Sequence, residues 1–227
     1  MLNWEVDRAL LEPLLPGGVA LDDWKGAHHV SAVGFLFLKT RVLGVAVPFC
    51  AAFEEVNLRF YVRRESAGGV RRGVVFVKEL VPRRLVAFVA RRVYHENYDA
   101  APMSHEIVLR EEGSPARVAY AWRYHGSEGR IRLESAPEIG EPGEGSREEF
   151  IVEHYRGYVR QPGGGTVEYA VEHPVWRVRR ASGAALDGDV RPLWGERFAA
   201  ALRRPPDSAF LAEGSAVSVR YGVRISP

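Results

Sequence analysis

Apolar and polar positions alternate most clearly over residues 55–64, EVNLRFYVRR. Val56, Leu58, Phe60 and Val62 fall on one side there, and Asn57, Arg59, Tyr61 and Arg63 on the other. A period of two predicts a half-buried strand, and the following ESAGGVRRG predicts its turn. VVFVKEL continues the pattern, with Val74, Phe76, Lys78 and Leu80 against Val75, Val77 and Glu79, so Lys78 is expected on an apolar face. Further strands are predicted at HEIVLRE, ARVAYAWRYHG, GRIRLESA, GTVEYAVEH and PVWRVRRA. In a last one, SAVSVRYGVRI, Val217, Val219, Tyr221, Val223 and Ile225 alternate without a break.

Elsewhere the spacing changes to three and four. VDRALLEPLLPGG reads as a short helix with Asp7 as N-cap, Leu10, Leu11, Leu14 and Leu15 on one face, and Pro16 and Gly17 as the stop. PRRLVAFVARRVY fits a helix with Pro82 near its first turn and Leu85, Phe88, Val89, Arg92 and Val93 on its apolar face. Ser146, with Glu149 three positions on, forms a capping box ahead of a helix through FIVEHYRGYVR. APEIGEPGEGS before it reads as a loop or flap. The glycines at 68–69 and 163–165 lack the strand–Gly–helix context and lysine of a phosphate loop, and read as hairpin turns. Many strands with three or four separate helices predict an α+β fold on a large, mostly antiparallel, closed sheet, in a single domain over residues 1–227.

Composition narrows the function classes. At 227 residues and 46% hydrophobic content the chain can bury one full core. A net charge of +2 from 31 basic and 29 acidic residues gives no field that argues for nucleic acid. The single cysteine, Cys50, excludes an intrachain disulfide and fits a reducing compartment, so the cytoplasm is the expected location. Its apolar setting raises the thiol pKa and points to packing. MLNWEVDRAL lacks the basic, apolar make-up of a secretory signal. The most apolar region, VSAVGFLFLKTRVLGVAVPFCAAF, is interrupted by Lys39, Arg41 and Pro48, with runs too short to cross a hydrocarbon core of about 30 Å. No membrane partner is expected. The seven histidines form no His-Glu-x-x-His motif, so neither a metal nor another cofactor is expected, and His173 before Pro174 reads as structural.

Several segments carry a resemblance in their order: LLPGGVALDDWKGAHHVSAVGFLF, FEEVNLRFYV, ARRVYHENYDAAPM, and GSREEFIVEHYRGYV followed by VEHPVW. Together they resemble the landmarks of the YqjF-like family, a domain of unknown function related to acetoacetate decarboxylase. The resemblance covers essentially the whole chain, and residues 145–176 are its most specific part. It implies an acetoacetate decarboxylase-like fold, a cone-shaped antiparallel β-barrel with a few packed helices and a pocket in its interior. In the decarboxylases a lysine pair, one member of which forms a Schiff base, follows a tract to which ARRVYHENYDAA is similar. The resemblance puts Arg91 on that tract's arginine, and Tyr98 and Asp99 where the lysines would stand. Neither forms an imine, so the decarboxylase mechanism is expected to be absent.

Only Lys25, Lys39 and Lys78 offer an amine, and Lys78 is the weak candidate, either projecting into the cone with a depressed pKa or ending a strand in water. Tyr94, His95, Tyr98 and Asp99 form a proton-transfer network if they face the cone, and a solvated loop otherwise. Glu55, Asn57 and Arg59 share a parity that either lines the pocket, with Arg59 holding a ligand carboxylate or carbonyl, or meets solvent. The resulting expectation is binding of a small carbonyl- or carboxylate-bearing molecule in the barrel, through Glu55, Asn57, Arg59, Arg91 and Tyr94, with turnover and self-association left open. The alternative is a non-catalytic scaffold or interaction protein using an arginine-rich surface.

Overall fold

The computed structural model describes residues 1–42, 45–46, 52–93 and 95–225. Seventeen strands are described. The first five are β1 (Leu2–Val6), β2 (Ala20–Leu21), β3 (His28–Leu38), β4 (Arg41–Val42) and β5 (Val45–Ala46). The central run is β6 (Ala52–Ser66), β7 (Gly69–Val81), β8 (Tyr98–Ala100), β9 (Met103–Leu109), β10 (Pro115–Tyr124) and β11 (Ser127–Ser135). The remainder are β12 (Arg156–Arg160), β13 (Thr166–Glu172), β14 (Val178–Gly188), β15 (Ser208–Ala212), β16 (Ser218–Val219) and β17 (Val223–Ile225). Four helices join them: α1 (Arg8–Leu11), α2 (Arg84–Val93), α3 (Arg147–Val152) and α4 (Arg191–Ala201).

Local chemistry sets the ends of these elements as expected at two helices. The Asp7 carboxylate accepts from the Ala9 N–H at 2.7 Å and starts α1. Ser146 Oγ accepts from the Glu149 N–H at 3.1 Å, while the Glu149 carboxylate reaches back to the Gly145 N–H at 2.6 Å. The helix expected to run on through FIVEHYRGYVR is shorter. It ends at Val152, and RGYVR becomes β12, whose Gly157 lets the Tyr169 ring lie across it.

All but the β4–β5 pair belong to one sheet ordered β16-β13-β12-β7-β6-β3-β1-β15-β14-β11-β10-β9, antiparallel except where β7 meets β12 and β8. Among the described residues hydrogen bonds do not join β9 back to β16, so they do not make the closure expected of a barrel. The sheet curls instead, and its two halves share one core. Leu58, Phe60, Val62, Val75 and Leu80 from one half meet Tyr120, Trp122, Tyr124 and Ile131 from the other. At one crossing the Tyr120 ring sits so close to Gly34 that an added Cβ would stand 2.5 Å from it. We call this shared side the inner face. The outer face of β6 and β7 packs Tyr61 and Val74 against Phe150 and Ile151 of α3.

Two apolar faces differ from expectation. Ala87 of α2 is buried, packed near Phe53 and Val81, while Leu85 and Phe88 are exposed. Helical spacing identifies an apolar stripe but not the neighbour that covers it. The C-terminal alternation is broken into β16 and β17, and Val217, Val219, Tyr221 and Val223 are exposed.

Candidate functional site

Strands β6 and β7 run in register through Val56–Leu80, Asn57–Glu79 and Leu58–Lys78, then skip Val77, so that Arg59 faces Phe76. A β-bulge of this kind reverses the parity of the residues beyond it. The expected grouping of Lys78 with Val74 and Phe76 is therefore corrected. Those two pack on the outer face, and Lys78 shares the inner face with Leu58, Val75 and Leu80. Strand β8 lies parallel to β7, with Tyr98 beside Glu79 and Asp99 beside Leu80. Successive side chains consequently build two separate clusters, one on each face.

The inner cluster joins β7, β8, β10 and α2. Lys78 Nζ stands 2.9 Å from Asp99 Oδ2 and donates to Tyr124 Oη at 3.1 Å, while the Tyr124 hydroxyl donates to Asp99 Oδ2 at 2.5 Å. Arg91 adds a guanidinium 3.5 Å from Asp99 Oδ1. Burial pulls the Lys78 pKa down, but hydrogen bonds and charge from Asp99 and Tyr124 outweigh it and set the pKa above the ordinary lysine value. Burial raises the Asp99 carboxyl in the same way, and Lys78 and Tyr124 more than reverse that. The depressed lysine pKa that imine formation needs is thus the opposite of what this arrangement produces. Lys78 is a held ammonium.

The outer cluster gathers Glu55, Asn57, Glu79 and Glu96, all buried, with Tyr98 and Tyr169. Asn57 Nδ2 donates to Glu55 Oε1 at 3.0 Å, Tyr98 donates to Glu55 Oε2 at 2.8 Å, and Tyr169 donates to Glu96 Oε1 at 2.6 Å. Burial pushes the Glu55 carboxyl up to about 7 and the Glu96 carboxyl up to about 8. Glu79 is raised well above the ordinary range, by burial first and then by the charges of Glu96 and Glu55. Three carboxyls in one buried site are all pushed toward their protonated forms because ionising them together is unfavourable.

Glu55, Asn57 and Arg59 do share one face, as their parity predicts. That face is covered rather than open, with Arg59 Nη2 donating to the Ile151 carbonyl of α3 at 3.1 Å. The proton-transfer network expected of His95, Tyr98 and Asp99 is divided. Tyr98 and Asp99 point to opposite faces, and His95 is exposed with a φ of +58°. Tyr94 and Cys50 lie outside the described residues. Sequence reasoning did not single out Glu79, Glu96 or Tyr124. The available signal was the register, since Glu79 pairs with Asn57 on the same face as Glu55.

The inner face is filled by its own side chains, among them Trp4, Phe60, Tyr120, Trp122 and Tyr158, all buried. Concavities of about 360 and 120 Å³ around Arg117 and Glu134 share no residue with either cluster. Among the described residues no group of three or more His, Cys, Asp or Glu has the geometry to hold a metal ion, and no helix is long and apolar enough to cross a membrane.

Comparison with known proteins adds a family and a fold. The family model DUF2071, uncharacterized conserved protein, matches residues 1–216. Over 106 residues the chain is 33% identical to the uncharacterized protein YqjF of Bacillus subtilis (strain 168), a match covering 46% of this chain and 42% of that relative. The acetoacetate decarboxylase of Legionella pneumophila superposes with a TM-score of 0.60 at 9% identity, covering 99% of this chain and 83% of its own. An acetoacetate decarboxylase-like enzyme from Sphingomonas wittichii RW1 gives 0.63 at 16%, over 99% and 89%. The enduracididine biosynthesis enzyme MppR, complexed with pyruvate, gives 0.63 at 14%, over 99% and 86%.

Proposed function

The chain belongs to the DUF2071 family and has the acetoacetate decarboxylase-like fold, and from that premise we propose that it binds a small carbonyl- or carboxylate-bearing molecule at the rim of the inner face without forming an imine. The observation that carries this reading is the cluster of Lys78, Asp99, Tyr124 and Arg91. Its side chains keep partial access to solvent, 19% for Lys78, 30% for Asp99 and 52% for Arg91. An ammonium and a guanidinium against one carboxylate leave one cation in excess, which suits a ligand carboxylate. The remaining N–H donors of Lys78 suit a carbonyl oxygen beside it.

Two further points support the rim. The interior behind it is occupied by aromatic side chains, so a ligand meets polar groups only where the curled sheet opens. MppR, of the same fold, was captured with pyruvate, a keto acid of this size. The missing lysine pair and the raised Lys78 pKa favour recognition over covalent capture, because an attacking amine must first lose its proton.

Isothermal titration with pyruvate and acetoacetate, followed by borohydride treatment and intact-mass measurement, tests the reading. Saturable binding weakened at least about tenfold by Arg91→Ala or Lys78→Met, with no mass increase, is the expected result, since one charge-assisted contact is worth about 1.5–3 kcal/mol. Absence of binding, or binding indifferent to both substitutions, would refute the site. A borohydride-fixed adduct lost in Lys78→Met would refute the non-covalent mechanism.

A further inference from the structure

The β6–β7 hairpin carries Arg63, Arg64, Arg71 and Arg72, and the strand period sends them to opposite faces. Arg63 lies 3.3 Å from Asp23, and Arg72 lies 2.9 Å from Asp22. Arg64 and Arg71, paired across the ladder, have the parity of Val62 and Val75 and so stand on the inner face, at the end of β7 opposite Lys78. Arg156 joins them from β12 because position 73 is glycine. A Cβ there would come within 2.7 Å of Arg156 Cβ and 2.6 Å of the Tyr158 ring.

These three guanidiniums face a single carboxylate, that of Glu168. Arg71 Nη1 is 2.6 Å from Glu168 Oε1, Arg64 Nη1 is 3.4 Å from Oε2, and Arg156 Nε is 3.6 Å from Oε1. Only the first has the length of a strong charge-assisted bond. Arg156 Nε is buried and completes no hydrogen bond among the described residues, and the donation from Nη1 of this side chain to the Tyr155 carbonyl is 3.4 Å long. A carboxylate offers about four lone-pair directions, whereas three guanidiniums present about fifteen N–H donors. The cluster therefore keeps two positive charges and most of its donors in excess, on side chains that are 23%, 42% and 32% exposed for Arg64, Arg71 and Arg156.

We propose that Arg64, Arg71 and Arg156 form a binding site for a phosphate-type dianion, either free phosphate or the phosphoryl group of a small phosphomonoester, with Glu168 holding the arginines in place when no ligand is present. A tetrahedral dianion supplies three outward oxygens to three forked donors and neutralises the excess charge, which a monocarboxylate does not. Glu168 remains on Arg71, its short contact, and gives up the two long ones. This site is separate from the rim cluster around Lys78 and does not depend on it.

Thermal unfolding and isothermal titration of the full chain with inorganic phosphate, methyl phosphate and chloride, at matched ionic strength and pH 7.5, test this; at that pH a phosphomonoester, with a second pKa of about 6, is almost wholly the dianion, and inorganic phosphate is mostly so. Saturable stabilisation by phosphate or methyl phosphate, absent with chloride, is expected. A response to both points to a phosphomonoester ligand, and a response to inorganic phosphate alone points to the free ion. Arg64→Gln and Arg156→Gln should each weaken binding at least about tenfold. Glu168→Gln, which removes the competing anion, should strengthen it several-fold even if it lowers the melting temperature, whereas a purely structural role for the four residues predicts no gain in phosphate affinity. Equal responses to phosphate and chloride in the wild-type chain would overturn the proposal without any variant, as would full phosphate binding by either arginine variant.

Discussion

Replacing Glu96 with glutamine should make the protein less sensitive to alkali, and the expected size follows from the outer cluster. The Glu96 carboxyl rises from an ordinary 4.5 to about 8 in the fold, through burial and the neighbouring Glu55 charge. Below pH 4.5 the folded and unfolded chains both carry the proton, and the full stability is present. Between there and about 8 the unfolded chain has released a proton that the folded chain keeps, so stability falls as pH rises. At roughly 1.4 kcal/mol for each tenfold difference in proton affinity, this displacement corresponds to about 5 kcal/mol. Relaxation and water entry reduce what is realised, and about 2–4 kcal/mol is the expected gain for Glu96→Gln at pH 9. A domain has a total of only about 5–15 kcal/mol, so the effect is large. Glutamine keeps an acceptor for the Tyr169 hydroxyl, which limits other losses. Urea unfolding at pH 4.5, 7 and 9, followed by tryptophan fluorescence, measures it. Near-equal stabilities at pH 4.5 and a widening gap at higher pH would bear the reasoning out. Parallel pH profiles for the two proteins would refute it.

Other expectations follow from single contacts. Gly73→Ala places a Cβ 2.6 Å from the Arg156 carbonyl oxygen, a backbone atom that cannot swing away, and should cost about 1–3 kcal/mol in urea unfolding. Ser146→Ala removes the acceptor of the Glu149 N–H and should lower stability by about 1 kcal/mol, with Ser146→Asp close to wild type. Tyr98→Phe withdraws the donor to Glu55 Oε2 and leaves that buried oxygen unpaired, at a cost of about 1–3 kcal/mol by the same assay.

The elements were more legible than their surroundings. The β6 alternation, the Asp7 cap and the Ser146–Glu149 box depend on neighbours within a few residues, and all appear in the structure. Lys78 was placed with the wrong partners on its own strand because one skipped residue, Val77, reverses the parity of a strand without leaving a mark in a periodic pattern. The stripe on α2 was visible but not its cover, so Leu85 and Phe88 were expected inside and stand outside. Glu79 and Glu96 were not chosen as site residues because an acidic residue usually marks the surface, and only long-range pairing shows that Glu55, Glu79 and Glu96 meet. Tyr124 reaches Lys78 from a strand 46 residues away, a separation that local spacing cannot bridge.

Strand β8 has only three residues and, among the described residues, pairs with β7 alone, so its ladder says little about where it must stop sliding. Charge decides instead. A displacement by one residue would thrust the Asp99 anion among three buried acidic groups and strand the Lys78 cation beside a phenol. The two unlike environments on either side of this short segment thus act as a lock on its position, one that loosens if pH strips the acids or if Lys78 is lost.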